Sequence, residues 1–115
     1  MELVRSCERV ARELLRGAGG GESLCSPSSG PVPAVKYREG AATALAEARR
    51  SISAVADGPG WAPESRAAVD QVRASWLAQS RLPSRTAPGW VGYLAGGLEA
   101  IDGLIGAAVE LGVRD

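Results

Sequence analysis

The sequence predicts an all-α fold, a four-helix bundle, mostly antiparallel, with a long Gly/Ser/Pro-rich first loop. Three observations carry that expectation. Apolar residues recur at helical spacing over four stretches separated by glycine and proline breaks. Hydrophobic residues make up 45% of the chain, yet alanine dominates them and phenylalanine is absent. Such a composition suits closely packed helices, because strands draw on β-branched and aromatic side chains. The length of 115 residues suits a single helical domain over 1–115.

The first helix is expected over 2–16, ELVRSCERVARELLR. Leu3, Cys7, Val10 and Leu14 form one stripe, widened by Val4, Ala11 and Leu15. Arginines and glutamates fill the remaining positions, with Glu8 and Arg12 spaced to pair along the helix. Gly17 and the glycines after it are expected to end the helix. Residues 17–34, GAGGGESLCSPSSGPVPA, then form a flexible linker or crossover loop in which Pro31 and Pro33 oppose a regular helix. The GAGGG run is not read as a phosphate-binding loop, because it follows a helix instead of a strand and lacks the lysine.

A second helix is expected over 35–57, where Tyr37, Ala41, Ala44, Leu45, Ala48, Ile52 and Val55 share a face. Its alanines let a neighbour approach closely, and Gly40 weakens it slightly. DGPGWAP ends it. The third helix, 63–80, begins with Pro63 in its first turn and places Val69, Val72 and Trp76 on one side. Trp61 and Trp76 are expected to plug the end and the flank of the core. Leu82-Pro83 breaks this helix. The fourth, 88–113, follows with Thr86 as the expected N-cap and Pro88 in the first turn.

That last segment, GWVGYLAGGLEAIDGLIGAAVELG, raises the main functional question. At 100° per residue Tyr93, Leu94, Leu98, Ile101, Leu104, Ile105, Ala108 and Val109 make a broad apolar face. Gly92, Gly96, Gly103 and Gly106 gather opposite, beside Glu99 and Glu110, and Gly97 alone joins the apolar side. Each interior glycine costs about 1 kcal/mol relative to alanine. Three accounts compete: a plain surface face, a bare strip that receives another helix at short range, and membrane insertion. The small-xxx-small spacings Gly92–Gly96 and Gly103–Ala107 favour close helix approach. Glu99, Asp102 and Glu110 oppose a membrane span.

Absences narrow the chemistry. There is no histidine, so the commonest general base and metal ligand are missing. Cys7 and Cys25 cannot build a zinc site alone; Cys7 is expected in the core, and Cys25 in a loop from which it could reach Cys7 as a disulfide. Glu39, Glu47, Glu64 and Asp70 are dispersed, and Asp70 and Arg73 are spaced to pair with each other. No catalytic residue, metal site or cofactor is therefore assigned. The formal net charge is zero, and Arg49-Arg50 is the only adjacent basic pair, so nucleic acid is not an expected partner. The charged opening MELVRSCERVARELLR has no apolar stretch of signal-peptide length, which points to a cytoplasmic protein with reduced thiols.

The second and third helices, joined through GPGWAPES with Trp61 in the turn and Trp76 beyond it, resemble the helical hairpins of the WXG100, or ESX-type, secreted proteins over about residues 41–80. Trp61 is followed by Ala62-Pro63 where that family has glycine, and the W-x-G of this chain, Trp90 to Gly92, opens the last helix instead. The resemblance implies a secreted hairpin that pairs with a helical partner.

The leading expectation is a non-enzymatic interaction module whose partner is itself or another helical protein. It docks through Gly92, Gly96, Gly103 and Gly106 or through the Trp61 and Trp90 ends. The alternative is a small-molecule binder or small helical enzyme with a cavity lined by Tyr37, Arg38, Arg66, Arg73 and Tyr93.

Overall fold

The computed structural model of the protein describes residues 1–19, 31–56 and 61–114. These residues form four α-helices: α1 (Glu2–Gly19), α2 (Pro31–Val55), α3 (Pro63–Ser80) and α4 (Pro88–Arg114), with a 3₁₀ turn at Pro83–Arg85. The fold is the expected helical bundle. No strand occurs among the described residues.

Two boundaries differ from expectation by more than two residues. α1 continues through Gly17 and Ala18 to Gly19, because a glycine stops a helix only when it turns left-handed, and Gly17 does not. α2 opens at Pro31, four residues early. Prolines at the first and third positions are tolerated there, since N–H groups of the first turn have no intrahelical acceptor to lose. Of the linker expected over 17–34, residues 17–19 and 31–34 are thus helical, and 20–30, with Cys25, lie outside the described residues. Cys7 is a free thiol.

α3 starts without a side-chain oxygen at its cap, Ala62. Ser65, fully buried, supplies it instead: its hydroxyl accepts from the Ala62 N–H at 3.4 Å. Thr86 does not cap α4. Its hydroxyl donates back to the Pro83 carbonyl at 3.3 Å, closing the 3₁₀ turn, and the Ala87 carbonyl takes the first α4 bond from Val91.

Side-chain pairings set the directions. Glu47 accepts from Trp76 while Ser51 and Val55 face Gln71 and Ala67 across a cleft, so α3 runs antiparallel to α2. Trp76 meets Gly97 and Arg73 meets Asp102, so α4 runs antiparallel to α3 and hence alongside α2 in the same sense. α1 lies on α2 and scarcely touches α4. The core is built from Val4, Ala44, Ala48, Ile52, Val69, Trp76, Ile101 and Leu104.

The glycine question is answered where α2 and α4 cross. Gly40 lies against the backbone carbonyl of Tyr93, and Gly96 lies against that of Tyr37, so a Cβ at either would overlap the other helix. The two Tyr-x-x-Gly stretches, YREG and YLAG, thus meet reciprocally. Below them Ala44 and Ala48, with no exposed surface, keep the interface thin. This is small-residue packing of the kind that lets backbones touch. Gly97 serves differently: the Trp76 ring occupies the place of its missing side chain. Gly96 is accordingly buried inside the bundle and is not part of an outward strip. Gly103 and Gly106 do face outward, with open space where a side chain would be.

Candidate functional site

The α1 helix is rotated about its axis relative to expectation. Val4, Glu8 and Ala11 face α2 and are buried, whereas the stripe expected in the core is left at its edge. Cys7 is half-buried, and Val10 and Leu14 remain 47% and 45% exposed. Glu8 explains the rotation. Its carboxylate accepts from Arg12 at 2.6 Å and from Arg49 at 2.7 Å, so α1 turns this acid inward to meet the α2 arginine. Only the Arg12 half of that network was legible in the sequence; Arg49 is 41 residues away.

Glu8→Gln is expected to lower stability by about 2 kcal/mol, because one buried acceptor is lost and the guanidinium groups lose a charged partner. Arg66→Gln should change stability by less than about 0.5 kcal/mol, as its pair with Asp70 is solvent-exposed. Denaturant melts of the two variants distinguish these outcomes, and equal effects would contradict the role given to Glu8.

Because α1 stands away from α4, a groove of about 380 Å³ opens between them over α2. Val10 and Leu14 form one wall, Gly103 and Ala100 the other, and Ala41 and Leu45 the floor. Tyr37 and Arg38 close one end, the Arg38 guanidinium lying 5.7 Å from the Tyr37 ring centre. Burial, followed by a hydrogen bond to Glu99 and the repulsion of that carboxylate, raises the Tyr37 phenol above its ordinary value. A raised folded-state value stabilises the fold below the ordinary phenol range, and this stabilisation is lost as pH climbs through the raised value. Burial also pushes the Cys7 thiol up, which keeps it protonated and slow to react near neutrality. The groove is apolar, and only its rim is polar.

The structure does not gather the residues of the small-molecule alternative around one cavity. Tyr37 and Arg38 line the groove, but Arg66 pairs with Asp70 at 3.0 Å and Arg73 with Asp102 at 2.6 Å, both on an exposed face of α3. Asp70 and Arg73 thus take other partners in place of each other. Tyr93 belongs to an aromatic column instead. Its ring stacks on Trp76 at 5.2 Å and meets Trp90 edge-on at 5.7 Å, and the Arg85 guanidinium sits 4.0 Å from the Trp90 ring centre. Of the proposed end residues, Trp61 is half-buried against the core and Trp90 is 39% exposed beneath that guanidinium. Gly92 is half-buried on α4.

A second cleft, about 580 Å³, separates α2 from α3 and carries Glu47 and Glu64. Glu47 is engaged by the Trp76 indole N–H at 3.4 Å, and the rest of the lining adds two serines, Ser51 and Ser75, but no lysine, arginine, cysteine or tyrosine. Among the described residues no group of three or more His, Cys, Asp or Glu could hold a metal ion, and no helix is long and apolar enough to cross a membrane.

The fold and the groove together define a class: an all-α bundle whose first helix leaves part of its apolar edge uncovered. Comparison takes it no further, since no family model, no curated protein and no solved structure matches the chain. The resemblance of 41–80 to WXG100 hairpins is thus accompanied by no family match.

Proposed function

We propose that this protein is a non-enzymatic helical interaction module that pairs with a second copy of itself through the groove between α1 and α4. The observation that carries this reading is the exposure of Val10 and Leu14 along an apolar groove already walled by bare backbone at Gly103. Large side chains gain about 1.5–3 kcal/mol each when fully buried, so two of them half-covered leave a substantial driving force unused.

Two features favour a second copy as the occupant. Leu3, Cys7, Val10 and Leu14 recur at alternating intervals of four and three, the spacing of a coiled-coil seam. A helix with the same spacing fills such a seam, and α1 of another copy is one. The formal net charge of zero removes the long-range repulsion that keeps highly charged chains apart. In a two-fold pair each α1 lays its edge along the groove of its partner, and Gly103 admits it without a side chain in the way.

Light scattering of the full chain over a range of concentrations tests this. The wild type should dimerise, and Val10→Glu with Leu14→Glu should weaken pairing about a hundredfold or more while leaving helicity intact, because a carboxylate would have to be buried. Alkylation of Cys7 should slow as concentration rises. A wild-type chain that stays monomeric throughout, or a double variant that dimerises equally well, overturns the proposal.

A further inference from the structure

On the flank of α1 away from that groove lies a feature of opposite character. Arg5, Arg9, Arg12 and Arg16 follow one another at intervals of four, three and four residues, so they form a row along one side of the helix. Arg49 of α2 faces them, and the five arginines line a depression of about 390 Å³ whose single acid is Glu8. The chain is neutral as a whole, but this groove carries four positive charges in excess.

The arrangement is built. Glu8, with a side chain only 6% exposed, spends both carboxylate oxygens on Arg12 and Arg49, at 2.6 and 2.7 Å. It holds these two guanidinium groups side by side and leaves most of their N–H donors for another acceptor. The Arg5, Arg9 and Arg16 side chains form no ion pair with a described residue. Like charges in a row repel, so an unfilled groove of this kind carries a standing electrostatic penalty that an anion removes.

We infer that this groove binds a linear oligophosphate, either inorganic or the phosphate tail of a nucleotide. The row spans eleven residue steps, about 16 Å at 1.5 Å per step, too long for one small anion to engage throughout. Guanidinium forks match phosphate oxygens, and each phosphate offers more charge and more acceptors than a carboxylate, so a few in series satisfy the whole row. A nucleic-acid strand fits less well. The groove holds no aromatic side chain on which a base could stack. A membrane surface fits less well too, because Glu2 and Glu13 lie on α1 between the arginine row and exposed Val10 and Leu14.

Titration calorimetry of the full chain with inorganic triphosphate, at low and at near-physiological salt, reads the inference directly. One site per chain is expected, weakened by salt. Arg9→Gln with Arg16→Gln should reduce affinity at least about tenfold without lowering the melting temperature, since neither residue contacts Glu8 and both add to the repulsion along the row. The charge-matched control Arg66→Gln with Arg81→Gln, on α3 and just beyond it, should bind as the wild type does. A nucleoside triphosphate that binds as tightly as inorganic triphosphate, or more tightly, supports the site and says which source it prefers. Absence of binding, an equal loss in the control, or tighter binding of a single-stranded oligonucleotide each overturns it.

Discussion

Gly96→Ala is expected to lower stability by about 3 kcal/mol or more, and Gly40→Ala by a similar amount. Elsewhere in a helix the same change is stabilising, because alanine has the higher helix propensity. Here the added Cβ would overlap the carbonyl of Tyr37 or Tyr93 on the neighbouring helix. Backbone cannot rotate aside as a flexible side chain can, so α2 and α4 must separate, and every layer of the Ala44, Ala48, Ile101 and Leu104 interface loosens with them. Stability of a domain of this size is on the order of 5–15 kcal/mol, so either variant removes a large share of it. Gly103→Ala and Gly106→Ala supply the contrast. Open space surrounds both positions, and each substitution should stabilise the isolated chain by up to about 1 kcal/mol. Urea unfolding midpoints at constant slope measure all four. Were Gly96→Ala as harmless as Gly106→Ala, the close crossing of α2 and α4 would be wrong.

Trp76→Ala should cost about 3–5 kcal/mol. The ring is 3% exposed, fills the place of a side chain at Gly97, and stacks on Tyr93 with an interplanar angle of 17°. Removing it empties the junction of α2, α3 and α4 at once. Trp76→Phe tests a narrower point: it keeps an aromatic ring on Tyr93 but loses volume and the N–H that Glu47 accepts at 3.4 Å. The loss should be smaller, about 1–2 kcal/mol. Gly97→Ala should behave like the larger variant, since the added Cβ would overlap the Trp76 ring. Thermal melts followed by circular dichroism rank the three, and a Trp76→Ala melt close to the wild type would refute the packing described.

Gly96 and Gly97 show how far periodicity reaches. Angular projection assigned Gly97 to the apolar side, where Trp76 indeed covers it. Projection also placed Gly96 with Gly103 and Gly106, and in angle they do lie together. They differ because the α2 backbone touches α4 at the level of Gly96, whereas Gly103 and Gly106 meet open space. One signal for this was present in the sequence, the repeated Tyr-x-x-Gly of 37–40 and 93–96, but nothing local says that two such stretches meet. Glu8 follows the same logic. Its spacing to Arg12 is local and readable, whereas its partner Arg49 and its burial depend on how α1 turns against α2. The arginine row was equally available at spacings of four, three and four, yet its meaning as a groove waited on Arg49.

By itself the sequence determined that four helices form and nearly where each begins and ends, because apolar spacing, proline and glycine act over a few residues of chain. It also determined which broad faces of those helices are apolar. The tertiary structure alone decided which glycines are consumed inside the bundle and which stay bare. It alone decided which edge of α1 is left uncovered and which arginines face one another. These are matters of the rotation and offset of one helix against another, set by contacts between residues tens of positions apart, and pattern along a single helix does not contain them.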